Sequence, residues 1–313
     1  MSTRHRQAPQ ELTFDVAVTA VGYERRCTYV TRRFGVSAKH QLGFSFGFLE
    51  EGAYQANRSF FEERSWRIQS AQNPLSFSRI TEALALSDRG SRRARLFIDI
   101  SSMSREMMAN IALAVEAART SKEVELTIAY APAIFSGTYL AAPIRLAAPV
   151  LPRLSGWSSR PDVPLGVVMG LGCEPGLALG ALQVLEPIKA WVYTPRGFDE
   201  RFEKELDKAN SSVSDIFDVT EFEYELSEPE VTHGRLEALL NSISPSFRLI
   251  CVPFGPKLFS WLVFSSVIFS GRKHIGIWSF SSREQGEAVE RDASGETVWY
   301  TYTLDKSIEN PVG

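Results

Sequence analysis

The chain has 313 residues, enough for two domains with separate cores, and its 44% hydrophobic and 23% charged composition is that of an ordinary globular protein. A formal net charge of −3 excludes the overall basic field that wraps nucleic acid, so direct nucleic-acid binding is not expected. Three scattered cysteines (Cys27, Cys173, Cys251) fit a reducing cytoplasm, and neither they nor His5, His40, His233 and His274 fall at ligand spacings, so no metal and no cofactor is predicted.

Residues 1–11, opening MSTRHRQAPQ, are polar and read as a disordered leader rather than a signal peptide. The first unit is expected over 12–148. It begins with an apolar strand in AVTAVGYERR (17–26), which stops at Gly22 and empties into Tyr23, Glu24, Arg25 and Arg26. GFSFGFLEEGAYQAN (43–57) reads as a second strand, a Gly-Phe pair and an acidic helix ending in Asn. Arg89, Arg92, Arg93 and Arg95 cluster in a polar connection and read as a solvated face. RLFIDISSMSREMMANIALAV (95–115) is a strand with no polar face, a short turn and a helix; VELTIAYAPA (124–133) is a further strand.

The Pro- and Ser-rich stretch APVLPRLSGWSSRPDVP reads as a linker over 149–164, and a second unit is expected over 165–313. It opens on LGVVMGLGCEPGLALGAL and continues through WVYTPRGFDERFEKELDKAN (191–210), RLICVPFGPKLFSWLVFSSVIF (248–269) and KHIGIWSFSS (273–282). Within it LFSWLVFSSVIF (258–269) is only about half as long as a membrane span and is flanked by basic residues, so it is read as a buried helix and no membrane partner is expected. TVWYTYTL (297–304) alternates and reads as a terminal antiparallel strand or hairpin arm.

Self-comparison organises these elements. Gly22-Tyr23-Glu24 stands against Gly172-Cys173-Glu174, and three further segments match in the same order, all at an offset of about 150 residues. The apolar strands alternate with helices and lack a polar face, as strands covered on both sides do. The fold expected is α/β, a tandem duplication of a Rossmann-like parallel-sheet unit.

Open parallel sheets bind ligands beyond the carboxyl ends of their strands, where both copies of the motif fall. Gly22, Tyr23 and Glu24 are therefore expected to line a crevice with Asp99, Ser101, Ser102, Ser104 and Arg105. Gly172, Glu174, Gly255 and Lys257 are expected to line its counterpart. Three serines fall where a helix begins: one caps it, and the others with free N–H groups form an anion cradle that Arg105 completes, the alternative being helix capping alone with Arg105 in a salt bridge to Glu24. FGPK is a weaker cradle, because Pro256 removes a donor. GLGCEPGLALG (170–180) fails the dinucleotide fingerprint, and an acid inside it would repel a pyrophosphate. Glu24 and Glu174 fit a ribose hydroxyl, a base edge, a metal-bound water, an acid/base role or simply a helix N-terminus. Cys173 lacks a matching histidine base and reads as a buried cysteine rather than a nucleophile. Tyr23 is equally a stacking residue or core; Phe48 and Phe198 read as core. Arg25 and Arg26 have no counterpart in the second copy and read as first-half specificity or surface.

The segment FIDISSMSREMM resembles the fourth-strand signature of CRISPR-associated Rossmann-fold sensor domains, and two such units in one chain resemble the fused pair in SAVED sensors of bacterial antiphage systems. The likeness covers Asp99, Ser101, Ser102 and Arg105, and Lys257 loosely; the family's turn is usually glycine-rich and SSMSR has no glycine. It implies a prokaryotic antiviral defence protein that binds a nucleotide-like anion between two pseudo-symmetric halves, with protein partners from a defence operon. Three functions stay open: such a sensor, an enzyme acting on a nucleotide or phosphorylated molecule through Glu24 or Glu174, and a structural subunit of a defence complex. Oligomeric state is open too, since a repeat builds in one chain what simpler sensors build by dimerisation.

Overall fold

The first strand runs from Thr13 to Val21 (β1), and its last six residues are all buried, as expected of a strand covered on both faces. The computed structural model describes residues 8–47, 50–87, 93–137, 139–141, 143–156, 161–281 and 290–307. After β1 come α1 (Tyr29–Phe34), β2 (Ser37–Ser45), α2 (Tyr54–Glu62), β3 (Arg67–Ser70), α3 (Ser78–Leu86), β4 (Arg93–Asp99), α4 (Arg105–Ala118) and β5 (Glu123–Tyr130). The second run comprises β6 (Leu146–Pro149), β7 (Leu165–Gly170), α5 (Leu177–Leu185), β8 (Lys189–Arg196), α6 (Glu200–Asn210), α7 (Val213–Ile216) and β9 (Val219–Glu225). It closes with α8 (Pro229–Ile243), β10 (Arg248–Pro253), α9 (Lys257–Phe264), β11 (Gly276–Ser281) and β12 (Val298–Leu304).

These strands form two six-stranded sheets, ordered β12-β5-β4-β1-β2-β3 and β6-β11-β10-β7-β8-β9. The orders correspond strand for strand. In each sheet every neighbouring pair is parallel except at one edge, where β12 lies antiparallel to β5 and β6 antiparallel to β11. The architecture is therefore a duplicated Rossmann-like α/β unit, its parallel pairs joined by crossover helices. In the first unit Ala17, Val21 and Phe97 of the sheet pack with Val30, Tyr54, Phe61 and Trp66. In the second, Val167, Met169 and Val252 pack with Ala178, Leu182 and Leu206.

The chain divides into units of Met1–Ile134 with Glu287–Gly313, and Phe135–Gly286, so two edge strands fall outside the halves read from the sequence. β6 ends the first repeat yet belongs to the second sheet; β12 ends the second repeat yet belongs to the first. The stretch read as a linker is in part packed structure: Val150 N donates to Ile277 O at 2.9 Å and Leu154 is buried. At Gly156 (φ 77°) a Cβ would stand 2.4 Å from Gly276 N, so only glycine lets this segment lie on β11. The apolar stretch 258–269 forms α9 and a continuing π-helical turn (Ser265–Phe269), all but Phe269 buried. No helix among the described residues is long and apolar enough to cross a membrane. Of the basic cluster, Arg93 pairs with Glu123 and Glu125, and Arg95 with Glu11 and Glu125; Arg89 and Arg92 lie outside the described residues.

Candidate functional site

At the carboxyl end of β1 the chain turns at Gly22, where a Cβ would come within 2.8 Å of the Phe46 ring. The turn is latched from α2: buried Asn57 donates its Nδ2 to Gly22 O and Glu24 O, both at 2.8 Å. The second unit repeats the device, with Asn210 of α6 donating to Gly172 O at 2.9 Å. These asparagines close the two matched segments of the repeat, so the signal for them was in the sequence although the site reading passed over it. Their place in both copies gives Gly-x-Glu a structural meaning, since the latch needs the glycine carbonyl and not the acid.

Glu24 does not face solvent. It is 7% exposed, and Oε2 accepts from Nε of Arg26 at 2.6 Å. Arg26, 3% exposed, also donates Nη1 to Ala131 O at 3.1 Å, joining the β1 turn to the end of β5. Burial alone would lower the guanidinium's pKa; the Glu24 carboxylate, with Tyr130 and Asp99, more than offsets this and raises it. Burial pushes the Tyr130 phenol up as well, against the charge of Arg26. Arg26 is thus a buried ion-pair partner and not the surface residue that the missing counterpart suggested; Arg25 is exposed.

The turn after β4 is self-contained. Asp99 Oδ1 accepts from Ser101 N at 3.0 Å and from Ser101 Oγ at 2.5 Å, and Ser101 Oγ in turn accepts from Ala131 N at 2.8 Å. Asp99 and Ser101 are buried, and their bonds build the turn. Ser104 caps α4, its Oγ accepting from Met107 N at 3.0 Å. Desolvation pushes the buried Cys27 thiol up to about 12, opposed by the Gly22 N–H and by Ser102 of the β4 turn, and Cys27 Sγ donates to Ala20 O at 2.9 Å. The turns after β1 and β4 lie at the ends of two strands that pair in parallel. Arg105 opens α4 half-buried, and Tyr23 is half-buried against Phe46. The Tyr23 phenol is pushed up by burial and then by Glu24, opposed by the charges of Arg291 and Arg26.

A strap crosses this edge on its way into β12. Arg26 N donates to Arg291 O at 3.2 Å, Ile134 N to Asp292 O at 3.0 Å, and Ser294 N to Pro132 O at 2.9 Å. Arg25 holds Glu290 through Nε at 2.7 Å, and Tyr29 Oη donates to Gly295 O at 2.8 Å.

The second unit's turns meet differently. Gly255 (φ 70°) is so close to the β7 turn that a Cβ there would stand 2.0 Å from Leu171 O, and one on Gly172 would stand 3.1 Å from Gly255 N. These glycines permit backbone-to-backbone contact, which fills the place a cradle would need. Glu174 is exposed, and Lys257 opens α9 half-buried. Cys173 is half-buried with Sγ directed to Phe202 O at 3.6 Å; Phe198 is 37% exposed, unlike a core residue, and Phe48 lies outside the described residues. The segment before β6 leaves an open cleft of about 570 Å³ beside α5, lined by Ala141, Pro143, Ile144, Gly176, Gln183 and Val184 among others.

No protein-family model matches the chain, and no curated protein matches it. Among solved structures it is similar to one described as a Type III CRISPR defence DNA nuclease activated by cyclic oligoadenylate, at TM-score 0.46 and 9% identity, over 80% of this chain. The chain spans 63% of that nuclease's length. The class assigned here, a tandem pair of Rossmann-like α/β units, rests on the sheet topology itself.

Proposed function

We propose that the protein is a ligand-binding regulatory module whose site is the carboxyl edge of the first sheet, taking an anionic, nucleotide-like ligand at Tyr23, Ser104 and Arg105. The observation that carries this reading is the Glu24–Arg26 pair, 2.6 Å apart and buried. A general acid/base must exchange protons with a substrate, whereas this carboxylate is held away from solvent by a cation. The acid that would repel a phosphate is neutralised, and the α4 N-terminus with Arg105 remains at the edge to favour an anion. Asp99 and Ser101 serve the turn rather than the ligand. The resemblance of DISSMSR to defence-system sensor domains selects the probes, and a role in antiviral defence is part of the proposal.

A thermal-shift series with ATP, cyclic dinucleotides and cyclic oligoadenylate tests it. At least one probe raises the melting temperature of the wild type, and Arg105→Gln abolishes that rise. Absence of any shift across the series refutes the reading. A bound probe converted to product by the wild type, but not by Glu24→Gln, would establish the enzyme instead.

A further inference from the structure

The strap over the first unit's edge belongs to the second repeat, and it brings a basic residue that the motif-based reading never considered. Its sequence is ERDASGE (290–296); the segment leading into β6 in the first repeat, FSGTYLAAPIR (135–145), carries Arg145 as its one charged residue. A cluster of charges is thus a property of one strap only. Of the strap's charged side chains next to the turn, Glu290 is held by Arg25 at 2.7 Å and Asp292 lies 3.8 Å from Arg25. Arg291, between them, has no carboxylate within ion-pair distance among the described residues and is half-buried.

Its position is well determined by its backbone. The Arg26 N–H bonds Arg291 O at 3.2 Å, the neighbouring Asp292 O is bonded by Ile134 N, and Ala293 bridges Ala133. The strap is therefore stitched down at Arg291 and the residues after it, across from the turn that carries Tyr23 and Glu24. The guanidinium's charge acts on both local phenols, lowering Tyr23 and Tyr130 against the effect of burial.

We infer that Arg291 is a ligand-binding residue of the first unit, receiving a phosphate of a nucleotide whose base stacks on Tyr23. This rests on the proposed function and extends it, because the second repeat then supplies a binding group to the first unit's site. A guanidinium suits the role: it is always charged, offers a planar fork to phosphate oxygens and is weakly hydrated. The half-buried ring of Tyr23, on the turn that the strap crosses, supplies the apolar face a base needs. Glu24 would oppose phosphate binding alone, but Arg26 neutralises it, so Arg291 is the strap cation left for the ligand.

Calorimetric titration of ATP and cyclic oligoadenylate into the full-length protein tests the assignment. Arg291→Gln weakens whichever probe binds by about tenfold or more, Arg291→Lys recovers part of it, and neither changes the melting temperature of the free protein. Arg67→Gln removes one positive charge at the exposed start of β3 and leaves affinity unchanged. Wild-type affinity in Arg291→Gln, with binding lost in Arg105→Gln, overturns this inference and leaves the proposed function standing. Absence of binding by the wild type overturns both. A ligand-free check is ultraviolet titration of tyrosine: Arg291→Gln moves the Tyr23 phenol further up, with Tyr23→Phe identifying the step. No movement would show that Arg291 does not face the site.

Discussion

The two units share a latch and differ in what it holds. In both, an asparagine donates to the carbonyl of the glycine that ends the first strand, at 2.8 Å from Asn57 and 2.9 Å from Asn210. Beyond that bond the first unit fills its turn with side chains, a buried Glu24–Arg26 pair and Cys27 against Ser102, under a charged strap. The second brings backbone to backbone at Gly172 and Gly255 and leaves Glu174 in solvent. A duplicated scaffold keeps the bonds that shape a strand end, while the groups set around that end diverge.

The sharpest way to break this contrast is to remove a buried partner. Arg26→Met removes the buried ion-pair partner of Glu24 and destabilises the first unit by about 3–5 kcal/mol, read by urea unfolding. Glu174→Gln, at the equivalent acid, stays within about 0.5 kcal/mol. Equal effects of the two substitutions would erase the distinction.

Next in size is Gly255→Ala. It places a Cβ 2.0 Å from Leu171 O at a positive φ, for a loss of about 2–4 kcal/mol. Gly22→Ala meets only the edge of the Phe46 ring, which can swing away, so its loss in the same unfolding assay is smaller. The latches test what the units have in common: Asn57→Ala and Asn210→Ala each cost about 1–3 kcal/mol, with hydrogen exchange localising each loss to its own unit.

The smallest effect is on pH dependence. Burial holds the folded His233 pKa below the usual imidazole value, with Glu237 opposing and Arg272 reinforcing the shift. The unfolded chain therefore binds this proton more readily, and the contribution is intact above the unfolded pKa and lost as pH falls from there toward the folded value. The second unit loses up to about 1.4 kcal/mol per pH unit in that window. His233→Gln flattens it in urea melts followed by unit-resolved hydrogen exchange.

The parallel sheets were legible because their strands lack a polar face: six consecutive buried residues in β1 and five in β7 leave no alternation to read. The duplication was legible from Gly-x-Glu and the elements after it. The exchange of β6 and β12 was not, since an antiparallel edge strand carries the same alternation whichever sheet receives it. The Pro-Ser stretch after β6 resembled a linker by composition, and only the close approach of Gly156 to Gly276 shows that it packs. Within the site, the placing of the turns after β1 and β4 at neighbouring strand ends followed from strand order. The partner of Glu24 did not, because a spacing of two residues does not say whether the turn brings the two side chains together and buries both. Arg291 was out of reach of motif reading, as its strap enters the site from the far end of the chain.

Ligand stoichiometry in the full-length protein tests the central claim, that one edge of this duplicated scaffold is the binding site. Titration of ATP and cyclic oligoadenylate, monitored by calorimetry, should show one site per chain that is lost in Arg105→Gln and retained in Lys257→Gln. Two equivalent sites, or a single site lost with Lys257 and kept without Arg105, would contradict it.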